Sequence, residues 1–281
     1  MDRIQPFLEE RDPATSPQVY LLRPPYREPV SHCDELGPLY VCGSLNLAPP
    51  RGSIAVLRVQ PDTAWPELKS WVATLQRRLA TCPLVIWADG VLIDRIAAFA
   101  YRMRMIGVRA CLLRPAIDLD LLREVLSDAL AFPVDLTRWL DNRGFELTPR
   151  AREQLQIMAC DALNHHVFHQ FLRATHQEDG ALRSEFEKSG LGAPGKWFHL
   201  LRTMRVAIAI QAEPELLVSK LALQYGFYDP AHLRRRLDDV IGANPSAIHQ
   251  HMSWEWMLFV ALRRAGISLP LDKEAVLVAA Q

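Results

Sequence analysis

Through the first half of the chain, short runs of consecutive apolar residues alternate with longer stretches whose apolar positions recur every three or four residues. The runs at 19–22, 39–42, 54–59, 84–87 and 109–113 have the length and β-branched content of strands. Helical spacing over 65–79, 92–105 and 119–130 separates the later ones. Strands alternating with helices of this length predict parallel βα units, and so a doubly wound, five-stranded α/β domain over 18–132. From residue 150 onward the apolar period is helical, which predicts an all-α second half over 150–250. Residues 1–17 read as a polar tail, 133–149 as a connector that is either packed or flexible, and 251–281 as an amphipathic helix with a tail.

The most informative pattern lies within 218–246. Val218, Leu221 and Ala222 form an apolar stripe on a short helix, and Ala222 is small enough for a second helix to cross closely. Gly226 suits a left-handed cap, with Phe227 folding back onto the core just after it. Asp229 and Pro230 are N-cap and first-turn residues for the next helix. Leu233, Leu237 and Val240 then face inward, which leaves His232, Arg234, Arg235 and Arg236 outside, until Gly242 closes the helix. This is a helix-turn-helix pattern, whose second helix can place its first side chains in a major groove. A plain two-helix corner with a solvated arginine run fits the same spacing.

The order A-x-x-x-G-F-x-D-x-x-x-L-x-R-x-L followed by G-x-N-P-S resembles the second helix-turn-helix of AraC-type transcriptional regulators. Ala222, Gly226, Phe227, Asp229, Leu233, Leu237, Gly242, Pro245 and Ser246 carry the likeness. That family has two such motifs joined by a long helix. Upstream, residues 180–191 with Leu182, Phe186 and a Gly190-Leu191 close look like the first recognition helix. Residues 193–211 look like the amphipathic linker, with Trp197, Leu200, Leu201, Met204 and Ala207 as its buried stripe and Arg205 near the family's R-x-x-A element. The resemblance spans 150–249 and implies a sequence-specific DNA-binding regulator. DNA contacts would come from Tyr228, His232, Arg234, Arg235 and Arg236 on the second motif, and from Gln177, Ala181 and Ser184 on the first. Double-stranded DNA, a second copy of the chain and RNA polymerase are the partners it implies. Glu178, Asp179, Glu185 and Glu187 in the first motif, and Asp238 and Asp239 in the second, depart from the family's usual chemistry, as does Ser184 where an arginine is common.

Residues 107–126 resemble the last strand and helix of a response-regulator receiver, with Arg114-Pro115 in place of its lysine-proline pair. A receiver needs an acidic pair to hold magnesium and an aspartate to take the phosphoryl group. Here Arg23, Pro24 and Pro25 follow the first strand, and Asp62 and Asp89 lack acidic neighbours, so a receiver-like domain that works without phosphorylation is expected. Its role would be regulation or dimerisation.

Composition narrows the classes further. At 281 residues and 49% hydrophobic the chain can bury two cores. No apolar run approaches the roughly 18 residues of a membrane span, and the polar first residues are unlike a signal peptide, so a cytoplasmic location is expected. From Cys160 to the end there are thirteen basic and thirteen acidic residues. Phosphate neutralisation carries much of DNA affinity, so weak, salt-sensitive binding led by Arg234 to Arg236 is expected. Five cysteines without a C-x-x-C pair indicate neither a disulfide framework nor a zinc site, and most of them read as small apolar fillers. His165, His166 and His169 have metal-compatible spacing, but no glutamate in the metalloprotease arrangement, and packing or solvent-facing roles are expected. The seven tryptophans read as core. No nucleophile-base pair or glycine-rich phosphate loop occurs, so neither an enzyme nor a cofactor is expected. The rival reading is a protein interaction module that keeps the helix-turn-helix fold with weak or no DNA binding. A small-molecule sensor built on the βα domain is compatible with either.

Overall fold

The computed structural model describes residues 18–22, 53–59, 63–88, 96–112, 132–213, 215–249 and 253–270. An α/β half comes first. Strands β1 (Gln18–Leu22), β2 (Ile54–Val59), β3 (Leu84–Ala88) and β4 (Ala110–Leu112) form one sheet in the order β1-β2-β3-β4. Helix α1 (Trp65–Arg78) joins β2 to β3, and α2 (Ile96–Met105) lies between β3 and β4. The expected strand at 39–42, the helix at 119–130, Asp62, Asp89 and the Arg114-Pro115 pair lie outside the described residues.

β2, β3 and β4 are parallel, with Val56 opposite Val85 and Ile86 opposite Cys111. β1 corrects the all-parallel expectation, because it runs antiparallel to β2 with Tyr20 opposite Val56. A period-two pattern records which face a residue points to and is silent on strand direction, which the connection decides. A parallel return needs a crossover of a dozen or so residues, usually helical, and the proline-bearing sequence after β1 is poor helix material. Of the helices expected to cover the sheet, the one at 119–130 lies outside the described residues, and the two described ones share a face. Leu68, Val72 and Leu75 of α1 and Met103 of α2 pack in one cluster with Ala55, Leu57, Val59, Leu84 and Ile86. Both helices therefore cover one sheet face, as right-handed crossovers between sequential strands require. Ile54, Val56, Val85 and Trp87 on the other face are equally buried, which accounts for the continuous apolar runs in the sequence.

The helical half follows through α3 (Phe132–Asp141), α4 (Pro149–Asp161), a short 3₁₀ turn, α5 (Phe168–Ala174), α6 (Asp179–Lys188), α7 (Pro194–Ala212), α8 (Val218–Gln224), α9 (Pro230–Ile241), α10 (Pro245–His249) and α11 (Trp254–Arg264). The connector is packed: Phe132, Leu136 and Leu140 are fully buried. From it Trp139 Nε1 donates to Ala80 O at 3.1 Å and Arg143 donates to the carbonyls of Arg77 and Gln76, which ties it to the end of α1. Among the described residues no helix is long and apolar enough to cross a membrane.

α7 is the hub. The expected stripe of Trp197, Leu200, Leu201, Met204 and Ala207 is buried, but so are Phe198, Val206, Ile208 and Ile210, and thirteen of its nineteen residues in all. The amphipathic expectation is corrected to a helix enclosed on nearly every side, because α4, α5, α6, α8, α9, α10 and α11 all pack on it. Each apolar side chain fully buried there is worth about 1.5–3 kcal/mol, so the helices around α7 are held in register by one shared core.

Candidate nucleic-acid interface

The second helix-turn-helix is built as its residues require. Leu221 and Ala222 are fully buried on α8, and the chain then turns at Gly226, whose φ is +66°. Phe227 N donates back to Ala222 O at 2.8 Å and Gly226 N to Leu223 O at 3.1 Å, which closes the end of α8. Asp229 caps α9, its carboxylate accepting from His232 N at 2.6 Å, with Pro230 as the first helical residue. Leu233 and Leu237 are fully buried. Ile241, rather than Val240, completes the inner row, because the helical repeat from Leu233 through Leu237 carries on by four, and Val240 is left half-buried. Gly242, at φ +72°, ends the helix.

The first motif repeats this geometry fifty residues earlier without its sequence signature. Gln177 N donates to Leu172 O at 2.9 Å, His176 N to Arg173 O at 3.3 Å and Thr175 N to Phe171 O at 3.0 Å, each one the counterpart of a bond in the second turn. His176 takes the place of Gly226 and, among the described residues, is the one non-glycine at positive φ, 52°. Leu182 and Phe186 are buried on α6, and Gly190, at φ +67°, closes it with Leu191 buried.

The second helices of the two motifs, α6 and α9, differ in charge. On α6 the cations are engaged: Arg183 pairs with Asp179 at 2.8 Å and Lys188 with Glu185 at 2.8 Å. Glu185, a departure from the family pattern, also accepts from Thr148 Oγ1 at 2.9 Å, and those two hydrogen bonds hold its carboxyl below the usual range. Ser184 is exposed, Ala181 half-buried, and Gln177 sits in the turn rather than on the helix. On α9, His232, Arg234 and Arg235 are exposed, and among the described residues no ion pair engages the two arginines. Tyr228, 88% exposed, stands just before them. Arg236, expected largely outside, is half-buried near His199 and Arg202, because the helix turns that position toward α7.

Several contacts that hold this surface could not be read from the motif. The Arg202 guanidinium, buried on α7, lies 4.4 Å over the Phe227 ring and donates to Tyr225 O, so it fastens the turn to the hub. Burial and the nearby Arg236 lower its pKa, and burial followed by Arg236 lowers that of His199. The three histidines separate: His165 packs edge-on against Phe171 at 5.9 Å, His169 is exposed, and the His166 ring lies directly over Gly226. The fifty-residue offset between Gly226 and His176 was the available clue to the first turn, whereas nothing in spacing marks Arg202 or His166. Of the cysteines described, Cys82 is buried, Cys111 half-buried and Cys160 exposed. Compared with known proteins, the chain matches no family model, no curated protein and no solved structure.

Proposed function

We propose that the chain is a sequence-specific DNA-binding transcriptional regulator of AraC type, with the α/β half as a regulatory or dimerisation unit that works without phosphorylation. The observation that carries this reading is the exposed Arg234 and Arg235, without an ion pair among the described residues, on a capped helix with Tyr228 and His232 beside them. Cations presented there suit guanine edges or phosphates. Two turns of the same hydrogen-bond pattern on either side of one rigid helix support a pair of reading heads for successive major grooves. The second head leads, since the cations of the first are already paired.

A second reading, a protein interaction module, is favoured by Leu217 and Leu223, 63% and 68% exposed on the flanks of α8. Binding of the full chain to pooled random duplexes, selected and sequenced at two salt concentrations, separates the two. A shared recovered site with affinity falling as salt rises supports the regulator. Arg235→Ala is expected to lower affinity and, if the contact is to phosphate, to reduce the log-log salt slope by roughly one. No binding at low salt favours the interaction module.

A further inference from the structure

Asp238 and Asp239 sit in the last turn of α9, and that turn holds no basic residue of its own. Acids are unfavourable there, because the unpaired carbonyls already make the C-terminus negative. The missing cation comes from elsewhere. Arg264, at the end of α11, donates from Nη1 to Asp238 O at 2.7 Å and to Asp239 O at 3.3 Å, and its guanidinium covers Gly242. The departure of α9 from its expected ending is thus matched by a helix that lies beyond the helix-turn-helix itself.

The other end of α11 is anchored to the α/β half. Its cap, Ser253, accepts from Trp256 N and donates from Oγ to Thr81 O at 3.1 Å, in the loop between α1 and β3. Trp254, 2% exposed, lies under the Arg109 guanidinium at 5.1 Å and edge-on to Phe132 at 5.2 Å. Glu255 is buried with Oε1 3.8 Å from Arg109 Nε. Between these anchors, Met257, Leu258, Ala261 and Leu262 are buried and α11 packs on α7 and α9. Eleven residues make a rod about 16 Å long. The cavity at the anchor, lined by Arg109, Asp135, Trp139, Trp254 and Glu255, has a volume of about 30 Å³, room for roughly one or two waters, which makes it a joint rather than a metabolite pocket.

We propose that α11 couples the two halves: the α/β half holds its first turn, and Arg264 at its last turn is the positioning residue that sets the C-terminal end of the second recognition helix. The inference rests on the DNA-binding reading for its meaning, and its first readout is independent of DNA. In the full chain, hydrogen exchange at residues 238–243 is followed by mass spectrometry. Arg264→Ala should speed exchange there roughly threefold, as the loss of a cation at a helix C-terminus does, with Arg264→Lys restoring most of the protection and Arg263→Ala changing nothing. Ser253→Gly keeps a competent cap while deleting the bond to Thr81 O, and should produce faster exchange at the same six residues with α8 unchanged. Should that variant fail to fold, Trp254→Phe loosens the same anchor more gently. Normal exchange at 238–243 in a folded anchor variant would overturn the coupling and reduce Arg264 to a local cap. Duplex binding is measured in parallel: if the wild type binds none, the regulator reading falls, and the exchange result still decides whether α11 couples the halves.

Discussion

Gly226→Ala tests the second turn at two levels. At φ +66° an L-residue brings its Cβ close to the following carbonyl oxygen, which costs about 1–2 kcal/mol. The added Cβ would also stand 1.8 Å from His166 Cε1 and 2.1 Å from Nδ1, a distance no contact sustains, so the imidazole must rotate away. Moving an exposed ring off its preferred position adds about 0.5–1.5 kcal/mol. The sum is a loss on the order of 2–3 kcal/mol, and with a urea slope of about 1–3 kcal/mol per molar the midpoint should fall by roughly 1 M. A double-mutant cycle with His166→Ala divides the two causes. His166→Ala alone should change stability by less than about 0.5 kcal/mol, since the residue is exposed, and Gly226→Ala should cost only the backbone part in that background. Urea unfolding of the full chain followed by far-ultraviolet circular dichroism supplies all four values. A cost below about 0.5 kcal/mol in the wild-type background would refute the left-handed turn. Equal costs in both backgrounds would show that His166 does not cover it.

Three further outcomes are expected. Asp229→Ala should lose about 1 kcal/mol, because the carboxylate that accepts from His232 N disappears, whereas Glu178→Ala at the start of α6 should be nearly neutral, since Glu178 makes no side-chain cap bond; equal losses in urea unfolding would contradict this. Burial pushes the thiols of Cys82 and Cys111 up to about 12, so at about pH 8 only roughly one in ten thousand is thiolate, and mass mapping after alkylation should find Cys160 modified first among these three. Burial, opposed by Arg109, raises the Glu255 carboxyl above its ordinary range, so the folded chain holds this proton more tightly than the unfolded one. The contribution of Glu255 to stability therefore falls as pH rises from about 4.3 through the raised folded value, and Glu255→Gln should flatten that part of the profile; parallel urea midpoints for the two proteins across this range would count against it.

What the sequence determined by itself was local. Gly226, Asp229, Pro230 and Gly242 specify a turn, a cap and a stop through backbone sterics and a short-range hydrogen bond, so the second helix-turn-helix was legible almost residue by residue. The same holds for β2, β3 and α1, whose apolar spacing fixes the type of element. The first turn was legible only in its apolar positions, since His176 holds a positive φ that its residue type does not announce and only the surrounding bonds enforce. Strand direction at β1, the enclosure of α7 and the clamp of Arg264 on α9 were settled by tertiary structure alone. Each depends on which elements meet, and side chains such as Arg202 and Arg264 act across 23 and 26 residues of chain, where no periodicity links donor to acceptor. Charge divides in the same way. Composition gave a balanced half with arginines and acids on both α6 and α9, and only packing decided that those of α6 pair with one another while Arg234 and Arg235 remain presented to solvent.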